Sequence, residues 1–248
     1  MRLNDIIRYL VTIGEVADRD TAIKDFQSLT ETFGYRYHCF FHEPKPIDNP
    51  AQLIVAANLE QRWIDRYVGK RYIVNDPIIR YLLKASKSFT WAQAEKSFQN
   101  HPHFRRIQKV MQDGRAHGLA HGHVFPIFGR NGLMGAAVLS GPDEVELSPV
   151  ETTLLDAAAR ATYFRLLELE GERFADRIGD GEADVILTYR EAQALSNMAD
   201  GMTSVEIAER LGVAPTTVDW YGASVQEKLK AKNRVNAVAI AIRKGMIS

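Results

Sequence analysis

Residues 188–247 constrain this chain more than any other stretch, because they break into four short apolar-periodic segments with a stop after each of the first three. Thr188-Tyr-Arg-Glu191 and Thr203-Ser-Val-Glu206 each place a hydroxyl at an N-cap and a carboxylate three residues later. Each pair satisfies two orphan backbone N–H groups reciprocally. Gly201 and Gly212 fall where the first and second segments end, at left-handed C-caps where a Cβ is penalised. Pro215 sits in the first turn of the third segment, where its missing N–H costs nothing. The spacing predicts helices over about 204–211 and 215–230, a helix-turn-helix over about 204–223 within an all-α four-helix domain spanning 187–248.

At 100° per residue, Val218, Gly222, Val225 and Leu229 form one stripe of the third helix, matched on the second by Val205, Ala208 and Leu211. The opposite face carries Thr216, Trp220, Ala223, Ser224 and Glu227. A large exposed Trp suits a surface that meets a partner, and a helix-turn-helix lays its second helix in a DNA major groove. Lys228, Lys230, Lys232 and Arg234 follow, either to reach phosphates or as a solvated helix end. The formal net charge is +0, and from Asp184 onward eight Lys/Arg face seven Asp/Glu, so DNA affinity has to rest on local placement of charge and on dimerisation.

The run Leu187-Thr-x-Arg-Glu191, Leu195, Gly201, Thr203-x-x-Glu-Ile-Ala208, Leu211-Gly-Val, Thr217-Val218, Lys228-Leu229, Arg234 and Ala237 closely resembles the LuxR-type DNA-binding domain over its whole length. The resemblance implies contacts to double-stranded DNA from Thr216, Thr217, Asp219, Trp220, Tyr221, Ser224 and Lys228. Tyr221 stands where the family usually has His, Ser224 where it has Asn or a similar polar group, and Asp219 and Glu227 where it is often basic. Asp219 either accepts from a cytosine N4 in the groove or points to solvent.

The first 172 residues read as an α+β domain. A helix over 3–17 carries Ile6, Ile7, Leu10 and Ile13, and Asp20 caps a second helix running to Gly34. Strand-like runs follow at about 35–42, 52–57, 88–92, 120–128 and 132–140, with helical stretches at 59–68 and 102–116. Asn131-Gly132 between the last two strands is a strong hairpin signal. Ser148-Pro-Val-Glu151 is a third capping box and opens a helix reaching about 172. These elements predict an α/β/α sandwich around a five-stranded antiparallel sheet. Residues 173–186, charged and containing Gly179 and Gly181, read as a linker. The helix at 148–172 is apolar on more than one side, so its second face either meets a second copy, making a homodimer, or is sunk in its own core.

Trp63 and Tyr67, at i and i+4, share a helix face. Asp76 precedes Pro77, which biases it to an extended conformation, and Trp91 lies in a strand-like run. Aromatics with polar tips and one carboxylate suit a mostly apolar pocket with a few directional groups. On spacing alone, core packing and a turn cap explain the same residues.

Trp63, Tyr67, Asp76, Pro77, Trp91 and Gly122 are similar to the hallmark residues of the autoinducer-binding domain of LuxR-type receptors. That resemblance implies an N-acyl-homoserine lactone. Trp63 would donate to the lactone carbonyl, Asp76 would accept the ligand amide N–H, and Tyr67 would line the acyl pocket. Trp91 would pack on the lactone ring, and Gly122 would permit close backbone approach beneath the ligand. Leu59 stands where such receptors commonly have Tyr, and the last strand offers Val138 and Ser140 where Thr or Ser is common, which implies either a preference for unsubstituted or longer chains or a poor response to any lactone. An empty pocket would leave the buried carboxylate under-satisfied until the ligand amide arrives. The alternative is a ligand-independent DNA-binding regulator whose pocket is filled by its own side chains, Leu59 among them.

Apolar content of 46% and charge of 25% fit a globular protein, and no apolar run approaches the ~20 residues of a membrane span. With no signal-peptide h-region either, a cytoplasmic chain with no membrane partner is expected. Cys39, within an apolar run, reads as a small buried hydrophobe. His117, His121 and His123 cluster without a completing Cys or carboxylate motif, so no metal is expected. No phosphate loop, GxSxG elbow or HExxH helix marks an enzyme, so no catalytic residue and no cofactor is expected.

Overall fold

Alternation of side chains along two strands decides the architecture of the N-terminal unit. On His121–Gly129 and Gly132–Gly141, Val124, Ala136 and Val138 join one apolar core while Phe125, Ile127, Ala137 and Leu139 join the other. The computed structural model describes residues 2–44, 50–129, 132–171 and 185–247. The chain divides into two compact units, one holding the sheet and the other the C-terminal helices.

In chain order the first unit runs α1 (Arg2–Thr12), α2 (Arg19–Glu31), β1 (Tyr37–His42), α3 (Pro50–Leu53), β2 (Ile54–Ala57), α4 (Gln61–Gly69), α5 (Pro77–Leu82), β3 (Phe89–Thr90), α6 (Trp91–Ser97), α7 (Phe104–Ala116), β4 (His121–Gly129), β5 (Gly132–Gly141) and α8 (Pro149–Leu169). The sheet is five-stranded and antiparallel, as the sequence predicts, and its strand order is β2-β1-β5-β4-β3. One face is covered by α1, α2 and α8 through Ile6, Phe26, Leu155 and Tyr163. The other is covered by α4 to α7 through Trp63, Leu82, Ala94 and Met111.

Several boundaries differ from expectation for local reasons. The cap of α2 is Asp18, whose side chain accepts from the Thr21 N–H, rather than Asp20. The third strand is only two residues long, because Thr90 and Gln93 form a capping box that starts α6 at Trp91. Trp91 is thus the first residue of a helix, not a strand residue. The helix α8 is apolar nearly all round because it is sunk in its own core: Leu155, Ala158, Ala159, Tyr163, Leu166 and Leu167 are buried and Leu154, Ala161 and Phe164 are half-buried against them. Tyr9 and Thr162 are hydrogen-bonded at 2.6 Å, tying α1 to it. An unpartnered apolar stripe lies instead on α1, where Leu3, Ile7 and Val11 are exposed. Asn131 and most of the linker expected over 173–186 lie outside the described residues.

The second unit comprises α9 (Tyr189–Ala199), α10 (Ser204–Leu211), α11 (Pro215–Lys228) and α12 (Arg234–Arg243). The capping boxes at Thr188 and Thr203 are both formed, and Gly201 and Gly212 take positive φ at 84° and 67°. Val218, Gly222, Val225 and Leu229 are buried as the periodicity predicts. On α10 the buried pair is Ile207 and Ala208, and Val205 is exposed.

One buried group carries a pH dependence. His38 on β1 is 1% exposed against Phe26 and Phe40, neither ring nitrogen has a hydrogen-bond partner, and burial pushes its pKa down to about 4. The unfolded chain takes up the proton near pH 6.5 and the native state does not, so native stability falls as pH drops below that value. The expected loss is about 2 kcal/mol between pH 7 and pH 5. Urea denaturation at the two pH values should show it, and His38→Phe should flatten the difference. An unchanged slope in that variant would assign the acid sensitivity to other groups.

Candidate functional site

Helix α4 projects Trp63 and Tyr67 from one face toward the sheet, with Leu59 just before it. Their rings meet at 5.7 Å, and Trp63 also packs against Tyr72 at 6.2 Å and His117 at 5.5 Å. Opposite them, Cys39 and Val138 are register partners on β1 and β5, and Ser140 lies two residues further along β5. The space between is a cavity of about 140 Å³. Leu59, Trp63, Tyr67, Asp76, Trp91, Val138 and Ser140 all line it, so the fold brings together the whole ligand-binding set anticipated from sequence. The remaining wall is largely apolar, including Phe41, Leu53, Ile54, Ile64, Val68 and Ile79.

Asp76 is buried and its carboxylate does two jobs. Oδ1 accepts from the Ile78 N–H at 2.8 Å, which caps α5, and Oδ2 accepts from the Tyr67 hydroxyl at 2.7 Å. Burial raises its pKa and outweighs these two bonds. The carboxylate is therefore partnered by the protein itself, not left under-satisfied as the sequence suggested. Tyr67 is in turn held protonated, by burial and by the neighbouring Asp76 charge.

Gly122 permits a close approach between β4 and Trp91. A Cβ there would lie 2.6 Å from Trp91 Cε2, 2.8 Å from Trp91 Nε1 and 2.6 Å from the Leu139 carbonyl oxygen. The missing side chain lets the Trp91 indole lie on the β4 backbone, and its N–H is buried there without an acceptor. The Cys39 thiol lines the cavity, and burial pushes its pKa up to about 12. His123 bonds to the Tyr35 hydroxyl at 2.7 Å.

A second buried carboxylate escaped the sequence reading. Asp113 on α7 accepts from Arg66 Nε and Nη2 at 2.8 and 2.5 Å and from the Tyr72 hydroxyl, and pairs with Lys109 at 3.0 Å. Burial opposes its ionisation, but these donors hold the carboxyl far below the ordinary carboxylate range. Arg66 is on the same helix as Trp63 and Tyr67, so this cluster fixes the cavity wall to α7. The signal available was a lone acid within the apolar face of Ile107, Val110, Met111 and Gly114.

On the C-terminal unit, Thr216, Asp219, Trp220, Ala223 and Glu227 form the exposed face of α11, with Trp220 64% exposed. Thr217 and Tyr221 are half-buried, Tyr221 packing against the core shared by Ile207 and Val218. Ser224 and Lys228 turn inward: both donate to the buried Glu191, at 2.6 and 2.7 Å, and the Thr188 N–H adds a third bond at 2.7 Å. Burial works against the charge, yet these donors draw Glu191 down to about 2. Lys230 and Lys232 remain exposed, while Arg234 bonds to Ser204 at 3.1 Å. No three-residue metal-binding group is present, and no helix is long and apolar enough to cross a membrane, among the described residues.

The family model described as "Autoinducer binding domain" matches residues 18–165, and that described as "Bacterial regulatory proteins, luxR family" matches residues 185–241. The HTH-type quorum sensing-dependent transcriptional regulator VjbR of Brucella melitensis is 31% identical over 80% of this chain and 76% of its own. The transcriptional activator protein AnoR of Acinetobacter nosocomialis is 25% identical over 94% of each. Among solved structures, SdiA in complex with octanoyl-rac-glycerol aligns with a TM-score of 0.59 at 19% identity, covering 98% of this chain and 96% of that one. Escherichia coli SdiA aligns at 0.54 and 20% identity over 97% of each. These structures share the fold of the chain.

Proposed function

The chain belongs to the LuxR-type family of quorum-sensing transcriptional regulators, with an autoinducer-binding domain and a DNA-binding domain, and from that premise we propose that an N-acyl-homoserine lactone in the cavity beside α4 controls its binding to a double-stranded DNA operator. The observation that carries this is Asp76, a carboxylate lining an otherwise largely apolar cavity. An N-acyl amide offers one N–H for that carboxylate and a hydrocarbon tail for the walls around it. With Leu59 and Val138 beside the polar end, an unsubstituted acyl chain suits the cavity better than an oxidised one. The octanoyl-rac-glycerol in the SdiA complex is likewise an acyl chain on a polar head.

The regulator acts as a cytoplasmic homodimer, presenting two α11 helices about one DNA turn apart. Exposed apolar side chains on α1 (Leu3, Ile7, Val11) and α12 (Val235, Ile242) supply surface for pairing. Thr216 and Trp220 enter the groove. The chain has no enzymatic step.

Thermal unfolding of the full chain with a series of acyl-homoserine lactones tests the ligand. At a hundred times the dissociation constant the ligand adds about 2.7 kcal/mol, a shift of several degrees in a domain of this size. Asp76→Ala should abolish the shift, and loss of the α5 cap should lower the ligand-free stability by about 1 kcal/mol. No shift with any chain length would sink the lactone and leave DNA binding standing. A ligand-independent regulator is the second reading, favoured by the two hydrogen bonds Asp76 already accepts from the protein. Purification of a DNA-bound dimer without added lactone would establish it.

A further inference from the structure

Asp219 projects from the exposed face of α11, beside Trp220. Its carboxylate is already engaged. Ser204, the first residue of α10, donates its hydroxyl to Asp219 Oδ1 at 2.7 Å. Arg234, the first residue of α12, donates from Nη1 to the Ser204 oxygen at 3.1 Å and brings Nη2 to 3.5 Å from Asp219 Oδ1. The polarity of this relay has one solution: a guanidinium only donates, a carboxylate only accepts, and the Ser hydroxyl does both.

The path of Arg234 across α11 depends on Gly222. A Cβ at that buried glycine would stand 3.2 Å from Nη2 and 3.4 Å from Nε. The guanidinium therefore lies over the recognition helix at Gly222, within 3.5 Å of Asp219.

We propose that Asp219 is a positioning residue, not a base reader: with Ser204 it restrains Arg234 across Gly222, linking the starts of α10 and α12 to the recognition helix and withholding one positive charge from the DNA backbone. This rests on the DNA-binding reading above. It assigns base discrimination on this helix to the exposed side chains outside the relay, Thr216 and Trp220 foremost, with Trp220 packed edge-on against Tyr221. It also gives a reason for a near-neutral DNA-binding unit, since non-specific affinity is kept low while the groove face is left intact.

The test selects duplexes from a random-sequence library with the full chain, with and without N-octanoyl-homoserine lactone, and measures the salt dependence of binding to a non-specific duplex. Asp219→Ala is expected to return the same consensus as the wild type. Its non-specific affinity should rise about threefold to tenfold, and its salt dependence should steepen by about one phosphate contact. In an Arg234→Ala background the same substitution should leave the salt slope unchanged, whereas a merely structural role for Asp219 would leave it unchanged in both backgrounds. A consensus that changes at a C·G pair in Asp219→Ala would overturn the proposal and make Asp219 a reader of cytosine. An unchanged salt slope in the single variant would also overturn it. A wild-type chain that enriches no sequence would instead remove the DNA-recognition reading itself.

Discussion

Replacing Asp113 with alanine is expected to lower the unfolding free energy of the autoinducer-binding domain by about 3 kcal/mol, and to weaken ligand binding without touching a cavity-lining side chain. The carboxylate is buried and accepts from Arg66, Tyr72 and Lys109 at once. Its loss strands the Tyr72 hydroxyl without an acceptor and leaves Arg66 without its partner. Arg66 and Lys109 reach solvent, with side chains 39% and 60% exposed, so water recovers part of the loss and the figure belongs at the low end for a broken buried pair. The effect on ligand follows from geometry, because Arg66 lies on α4 between Trp63 and Tyr67. Urea denaturation and lactone titration of the full chain read the two effects separately. The folded carboxyl is held below its unfolded value, so the contribution is present above the unfolded carboxylate pKa of about 4 and is lost as pH falls. The gap between wild type and Asp113→Ala should therefore close in acid. A stability loss below about 1 kcal/mol at neutral pH would mean that the cluster is worth no more than a surface ion pair.

What was legible in the sequence was local chemistry. Three capping boxes, at Ser148, Thr188 and Thr203, are formed as read, because each is complete within four residues. The sheet and its strands followed from period-two patterning, and the cavity lining followed from family resemblance rather than from spacing. What was missed depends on tertiary context. Trp91 sits in an aromatic, β-like run, yet Thr90 and Gln93 close a capping box that starts a helix there. On α10, apolar residues at 205, 207, 208 and 211 support two stripes, and packing against Val218 selects the one containing Ile207. The second face of α8 fits either a partner or a core, and here the core takes it. The donors to Asp113 and Glu191 come largely from residues tens of positions away, a separation at which charge pattern carries no register.

Glu191 shows how such a long-range pairing controls the recognition helix, and its removal should be the most damaging single change in the DNA-binding domain. Through one side chain it completes the α9 capping box and grips α11 at Ser224 and Lys228. Glu191→Ala is expected to cost this domain about 3 kcal/mol, combining a lost cap with a broken buried pair. Glu191→Gln keeps an acceptor for Thr188 and Ser224 and loses only the charge, so it should fall roughly midway. The folded Glu191 ionises near pH 2, below its ordinary 4.5, so its contribution is complete above pH 5 and declines as pH approaches 2. Calorimetry of the full chain between pH 5 and pH 3 should show wild type and Glu191→Gln converging. In the Gln variant Lys228 is also released, and a freed ammonium beside α11 is available to phosphate, so non-specific DNA binding should gain salt dependence even as the domain loses stability. A variant that loses stability with no change in salt slope would mean that Lys228 stays docked without its carboxylate, held by the Ile186 carbonyl oxygen 3.5 Å from its Nζ.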